Sequence, residues 1–216
     1  EIEDEEQKQK VIPPQDIPIE IIWGDENMAV INKPSGMLTH PSEIELENTL
    51  VNALLFKYPD NLSDINGFFR KGIVHRLDRN TSGLLMIAKN NKTHEDLAEK
   101  MKERLIEKKY LAVVKGPMKE DFGTINLPIG RNPKQPHKMM VAEDGKPSVT
   151  EFRVIKRFKE HTYIELNLKT GRTHQIRVHL SHIGHPIMND TLYGAGTSKV
   201  KTEEQVLQSY KLKFAK

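Results

Sequence analysis

The order of strand-like and helix-like runs constrains this chain most. Strands come in runs, helices stand between them, and no regular strand–helix–strand alternation appears. Such an order favours an α+β fold around a largely antiparallel sheet. Residues 19–23 and 28–32 flank Gly24-Asp25-Glu26-Asn27, which signals a hairpin. Residues 84–88 form a short continuous apolar run, the mark of a buried strand. Residues 110–114, 148–158 and 162–168 also read as strands, the last two pairing across Lys159-Glu160-His161, and 207–214 as a final strand. Helical spacing appears three times. Residues 48–58 carry Leu50, Val51, Leu54 and Leu55 on one face. A second helix is expected with Thr93 as N-cap, Asp96 three residues on, and a stripe of Leu97, Met101 and Leu105. Gly171 opens the third, with Ile176, Leu180 and Ile183 on one face and Gly184-His185-Pro186 as its stop.

With 216 residues the chain can bury one sizeable core. Residues 1–18 are acidic, then punctuated by Pro13, Pro14 and Pro18, and read as a linker; folded sequence is expected from Ile19, so 19–216 is one domain. No apolar run approaches the roughly 18–20 residues needed to cross a bilayer. The chain has no cysteine, which excludes disulfides, thiolate metal ligands and a cysteine nucleophile, and fits a reducing cytoplasmic setting. The net charge of +3 conceals an asymmetry, because residues 1–20 hold seven acids against two lysines. The rest therefore carries a surplus of eight positive charges, suited either to a phosphate backbone or simply to a solvated, lysine-rich surface.

Two stretches concentrate chemistry. In His75-Arg76-Leu77-Asp78-Arg79-Asn80-Thr81-Ser82-Gly83-Leu84 a carboxylate lies between two arginines, in a turn-rich segment feeding an apolar strand. Flanking arginines would keep Asp78 ionised, as a nucleophile or base must be. A turn in which Asp78 only accepts backbone hydrogen bonds fits the same residues. In Thr170-Gly171-Arg172-Thr173-His174-Gln175-Ile176-Arg177-Val178-His179-Leu180 basic and polar groups crowd the expected first turns of a helix, where an anion is favoured. Arg177 would share a face there with Thr173 and His174; a solvated helix face is the alternative. His174, His179, His182 and His185 invite a metal reading, but no carboxylate at a useful helical spacing and no thiolate accompanies them, so no metal site is expected. Neither a phosphate-binding P-loop nor a dinucleotide fingerprint is present.

Residues 75–84 resemble the HRLDxxTSGL signature of the RluA-type RNA pseudouridine synthases. Asn32-Lys33-Pro34-Ser35-Gly36 with His40-Pro41, Glu107-Lys108-Lys109-Tyr110, residues 171–180, and Gly184-His185-Pro186 to Tyr193-Gly194 recur in the family's order. The resemblance implies an α+β catalytic domain with a long, bent, mainly antiparallel mixed sheet, flanking helices and a central catalytic cleft. It implies Asp78 as catalytic aspartate, Tyr110 packed on the target base, Arg177 paired with the aspartate, and Ile176 beneath the base. Arg76 would enter the RNA helix in place of the flipped nucleotide, and His75, Arg172 and His174 would contact substrate. The same resemblance makes residues 1–18 the stump of an N-terminal RNA-binding domain. It also implies a cytoplasmic monomer that needs no cofactor, acting on RNA, with ribosomal RNA as first target and transfer RNA as runner-up. Asn189-Asp190 departs from the usual Gly-Asp, a difference expected to matter little. The competing classes are a non-catalytic RNA-binding module and a metal-dependent hydrolase built on the histidines.

Overall fold

The computed structural model describes residues 11–194 and 204–214. Strands β1 (Glu20–Gly24) and β2 (Met28–Lys33) form the expected hairpin, and the Asp25 carboxylate accepts from the amides of Asn27 and Met28 in its turn. β2 pairs antiparallel with β3 (Ser82–Ala88). β4 (Glu107–Lys115), β5 (Phe122–Asn126), β8 (Val149–Arg157) and β9 (His161–Leu168) build the other half of the sheet. β10 (Leu207–Lys213) lies between the halves, parallel to β3 and antiparallel to β4. The order is β1-β2-β3-β10-β4-β9-β8-β5, so every neighbouring pair except β3–β10 is antiparallel, the mainly antiparallel mixed sheet expected. β6 (Ile129–Arg131) and β7 (Met139–Val141) form a separate hairpin.

The apolar run in β3 is explained by cover on both faces. Ile31, Leu85 and Ile87 join a core with Leu50, Leu54, Ile164, Leu166 and Leu180, while Met28, Val30 and Met86 pack with Leu97 and Ile106. Helix α1 (Leu50–Lys57) starts where Thr49 and Asn52 cap each other reciprocally, and buries the four apolar residues read from its spacing. Burying each is worth about 1.5–3 kcal/mol. The packed chain begins before Ile19. Ile12 is buried in the same core, the Gln15 amide donates to the Asn52 carbonyl (3.0 Å), and the Asn52 side chain donates to the Pro13 carbonyl (2.8 Å).

Four local expectations are corrected. Helix α2 (Asn91–Lys102) is capped by Asn90, whose side chain accepts from the Thr93 amide at 2.9 Å, so Thr93 is already in the first turn. Leu105 lies past its end at 56% exposed, and Ile106 fills that core position instead. Helix α3 is Gln175–His182, not a helix from Gly171, and Ile183 is its half-exposed C-cap. The short β5, β6 and β7 carry too few buried residues to show a strand pattern, with Ile125 and Ile129 their only fully buried side chains.

Candidate active site

Asp78 stands on the loop entering β3, and that loop is tied to the end of β2. The Lys33 ammonium is fully buried and donates to the carbonyls of Pro34 (2.8 Å), Met37 (2.8 Å) and Arg79 (3.0 Å). Thr39 donates to the Leu77 carbonyl at 2.8 Å and Ser35 to that of Asn80 at 3.1 Å. The Thr81 amide closes the turn on the Asp78 carbonyl (3.1 Å). Burial pulls the Lys33 amine down to about 8, with the Asp78 charge opposing and Arg79 assisting. The Asn-Lys-Pro-Ser-Gly segment noted in the sequence is therefore the backing of the aspartate loop.

Arg177, on the first turn of α3, joins two carboxylates. Its Nε and Nη2 donate to Asp190 at 2.8 and 3.0 Å, and its Nη1 donates to Oδ2 of Asp78 at 3.1 Å. Asp190 is itself fixed by the amides of Leu192 and Tyr193. Burial alone would lower the Arg177 pKa, but the hydrogen bonds and charges of Asp190 and then Asp78 outweigh it and raise it. Among the described residues nothing donates to Oδ1 of Asp78, so one oxygen is oriented and the other is available. Asp190 is the site residue that sequence reasoning passed over. Its signal was present in Asn189-Asp190, but nothing local says that it reaches back to Arg177.

The other expected residues converge on the same place. His75, Arg76 and Asp78 line a cavity of about 310 Å³ together with Tyr110, Ile176, Arg177, His174 and Arg172. That size lies at the lower end of small-ligand sites. Tyr110 faces inward from β4, opposite Ser209 of β10, and is buried. Burial, and then the charge of Asp78, push its phenol above the ordinary value, so it is present as the neutral phenol at physiological pH. Ile176 adds an apolar wall.

His75 is in the cavity wall, but its Nε2 accepts from the Met86 amide at 3.0 Å. Burial, assisted by Lys108, holds it down to about 3, so it stays neutral and braces β3. Arg76 is exposed at the mouth, and among the described residues its guanidinium hydrogen-bonds to nothing. Arg172 is on the rim, its Nε donating to the Pro147 carbonyl at 3.2 Å. His174 takes a left-handed backbone (φ 55°) at the N-cap of α3, so it approaches Asp78 from the loop, not from a helix face shared with Thr173. Its Nε2 is 3.9 Å from Oδ2 of Asp78.

The remaining histidines are dispersed. Both ring nitrogens of His179 are taken by Thr150 and the Leu127 carbonyl, and His185 bonds to the Lys115 carbonyl. Among the described residues no three His, Asp or Glu side chains are placed to share a cation.

Residues 27–182 match the family model described as RNA pseudouridylate synthase. A protein of Aquifex aeolicus described as an uncharacterized RNA pseudouridine synthase is 46% identical over 194 residues, 89% of this chain and 61% of that protein. The ribosomal large subunit pseudouridine synthase D of Zymomonas mobilis is 44% identical over 198 residues, 91% of this chain and 61% of that protein. The chain thus spans less than two thirds of the length of these curated relatives. Among solved structures, human RNA pseudouridylate synthase domain containing 1 superposes with a TM-score of 0.75 at 28% identity, covering 93% of this chain and 80% of that one.

Proposed function

The chain belongs to the RNA pseudouridylate synthase family, of RluA type, and we propose that it isomerises uridine to pseudouridine in structured RNA, with large-subunit ribosomal RNA as its target. The reaction breaks the bond from ribose C1′ to uracil N1, rotates the base and rejoins it through C5. Nothing is oxidised or hydrolysed overall, so no cofactor or metal is required. A stacked uridine must first flip out, at a cost of a few kcal/mol.

One observation carries this reading: Asp78 enters the cavity with Oδ2 held by Arg177 and, among the described residues, Oδ1 unspent. A carboxylate so placed can act on the ribose or base of a flipped uridine while Tyr110 and Ile176 hold the ring. The target follows the relatives named for the ribosomal large subunit. We read the protein as a cytoplasmic monomer; among the described residues no helix is long and apolar enough to cross a membrane.

Asp78→Asn is the test. It keeps the shape and removes the charge, so fold and RNA binding should survive while single-turnover pseudouridine formation falls below about a thousandth of wild type. An essential nucleophile or base is worth more than the roughly 10²–10⁴-fold of ordinary proton transfer. A variant above that threshold would remove Asp78 from the chemistry. Mapping pseudouridine in cells with and without the gene identifies the RNA.

A further inference from the structure

The Tyr193 hydroxyl has two neighbours. The Met139 amide on β7 donates to it at 2.9 Å, and Nδ1 of His174 lies 2.6 Å away. An amide N–H can only donate, so the phenol oxygen accepts from Met139. The phenol's single proton then needs an acceptor, and among the described residues Nδ1 of His174 alone is within reach. Had the oxygen accepted from both neighbours, its own proton would be stranded in a half-buried place, costing about 1–3 kcal/mol. Burial pushes the Tyr193 phenol up, so that proton is present at physiological pH. With Nδ1 accepting, a neutral imidazole carries its hydrogen on Nε2.

That nitrogen faces the cavity. At 3.9 Å from Asp78 it is beyond hydrogen-bond distance, so its N–H is aimed beside the carboxylate without being consumed by it. The ring packs edge-on to Tyr193, with centroids 5.5 Å apart, and the Arg177 guanidinium lies 5.0 Å from the centre of the Tyr193 ring. Burial first, and Arg177 and Arg76 with it, favour the uncharged imidazole, while Asp78 and Asp190 pull the other way.

We propose that His174 is a neutral hydrogen-bond donor to the flipped uracil, held as its Nε2–H tautomer by Tyr193 and, through Tyr193, by the Met139 amide of the β6–β7 hairpin. The inference rests on reading the cavity as a uridine site. When the bond from C1′ to N1 breaks and its electron pair stays with the base, negative charge spreads over the ring nitrogens and the two carbonyl oxygens. A neutral N–H donor stabilises that charge without forming a fixed ion pair with Asp78 beforehand. His174 thereby touches substrate, and Tyr193 is a positioning residue.

The tautomer is measured without RNA, by nitrogen NMR of the wild-type protein labelled at its histidine rings, with His174→Gln identifying the resonance. His174 should carry hydrogen on Nε2, with its Nδ1 signal displaced by an incoming hydrogen bond. Tyr193→Phe keeps the ring and removes only the hydroxyl. It should abolish that displacement and lower the single-turnover rate about five- to ten-fold, with RNA affinity unchanged, on a ribosomal stem-loop that wild type modifies. Hydrogen on Nδ1 in the wild type, or an Nδ1 signal unaltered in Tyr193→Phe, would overturn the positioning. A lost displacement with an unchanged rate would overturn the donor role. Wild type that shows the tautomer yet makes no pseudouridine on any RNA would overturn the enzymatic reading itself, and the donor role with it.

Discussion

A guanidinium has two edges, and those of Arg177 face different carboxylates. Asp190 takes Nε and Nη2, which fixes the plane of the fork and leaves Nη1 as the one group offered to Asp78. Among the described residues the aspartate is thereby aimed by a single bond while its other oxygen accepts none, an arrangement that a simple pair would not enforce. Lys33 acts from behind in a different way, because its ammonium meets only carbonyls and no carboxylate lies within ion-pair distance among the described residues. In the unfolded chain this amine titrates near 10.5, and in the folded protein near 8. Between those values the unfolded chain holds a proton that the folded one has lost, so this group adds stability as pH rises. The stability of wild type relative to Lys33→Met should therefore increase from about pH 8 to 10.5, read from denaturant midpoints at each pH. A difference that is flat or shrinks over that window would mean that Lys33 titrates normally.

Among the elements, the tightest constraint is the crossing of β3 and β10. Gly83 has φ 110°, and a Cβ there would lie 2.1 Å from the Ser209 carbonyl oxygen. Gly83→Ala must bear both the backbone strain and the overlap, together about 3 kcal/mol or more. For a domain of this size that corresponds to a melting temperature lower by roughly 6–12 °C. A calorimetric melt within a degree or two of wild type would show that β10 can draw away freely. The glycine of the Thr-Ser-Gly segment is thus demanded by a strand remote in sequence, which no local pattern reveals. The same limit explains what sequence reading reached and what it missed. Asp78, Tyr110 and Arg177 stand in dense local motifs, and the structure brings all three to one cavity. Asp190 depends on a long-range pairing, β5 to β7 bury too little to show a period, and the start of α3 is delayed by a left-handed residue that glycine and arginine upstream do not announce.

For the whole molecule, the surplus of positive charge beyond residue 20 suits the RNA proposed as substrate, and Arg76, without a hydrogen-bond partner among the described residues, lines the cavity. If its side chain fills the gap left by a flipped uridine, it offsets lost stacking, which is a few kcal/mol in a stem and much less in an unpaired strand. Arg76→Ala should then lower single-turnover rates more on a stem-loop than on a single-stranded oligonucleotide bearing the same uridine. Equal losses on both, with the salt slope of binding reduced by about one, would make it a phosphate contact instead. The parallel insertion of β10 has a consequence of another kind. Asp78 stands on the loop entering β3, in the half of the sheet built from β1 to β3, and Tyr110 on β4 in the other half; among the described strands β10 lies between the two. Translation proceeds in one direction, so both halves leave the ribosome well before the strand that unites them. A nascent chain halted ahead of Leu207 holds Asp78 and Tyr110 on separate ribbons, and the sheet that carries the proposed site is completed by the last strand described.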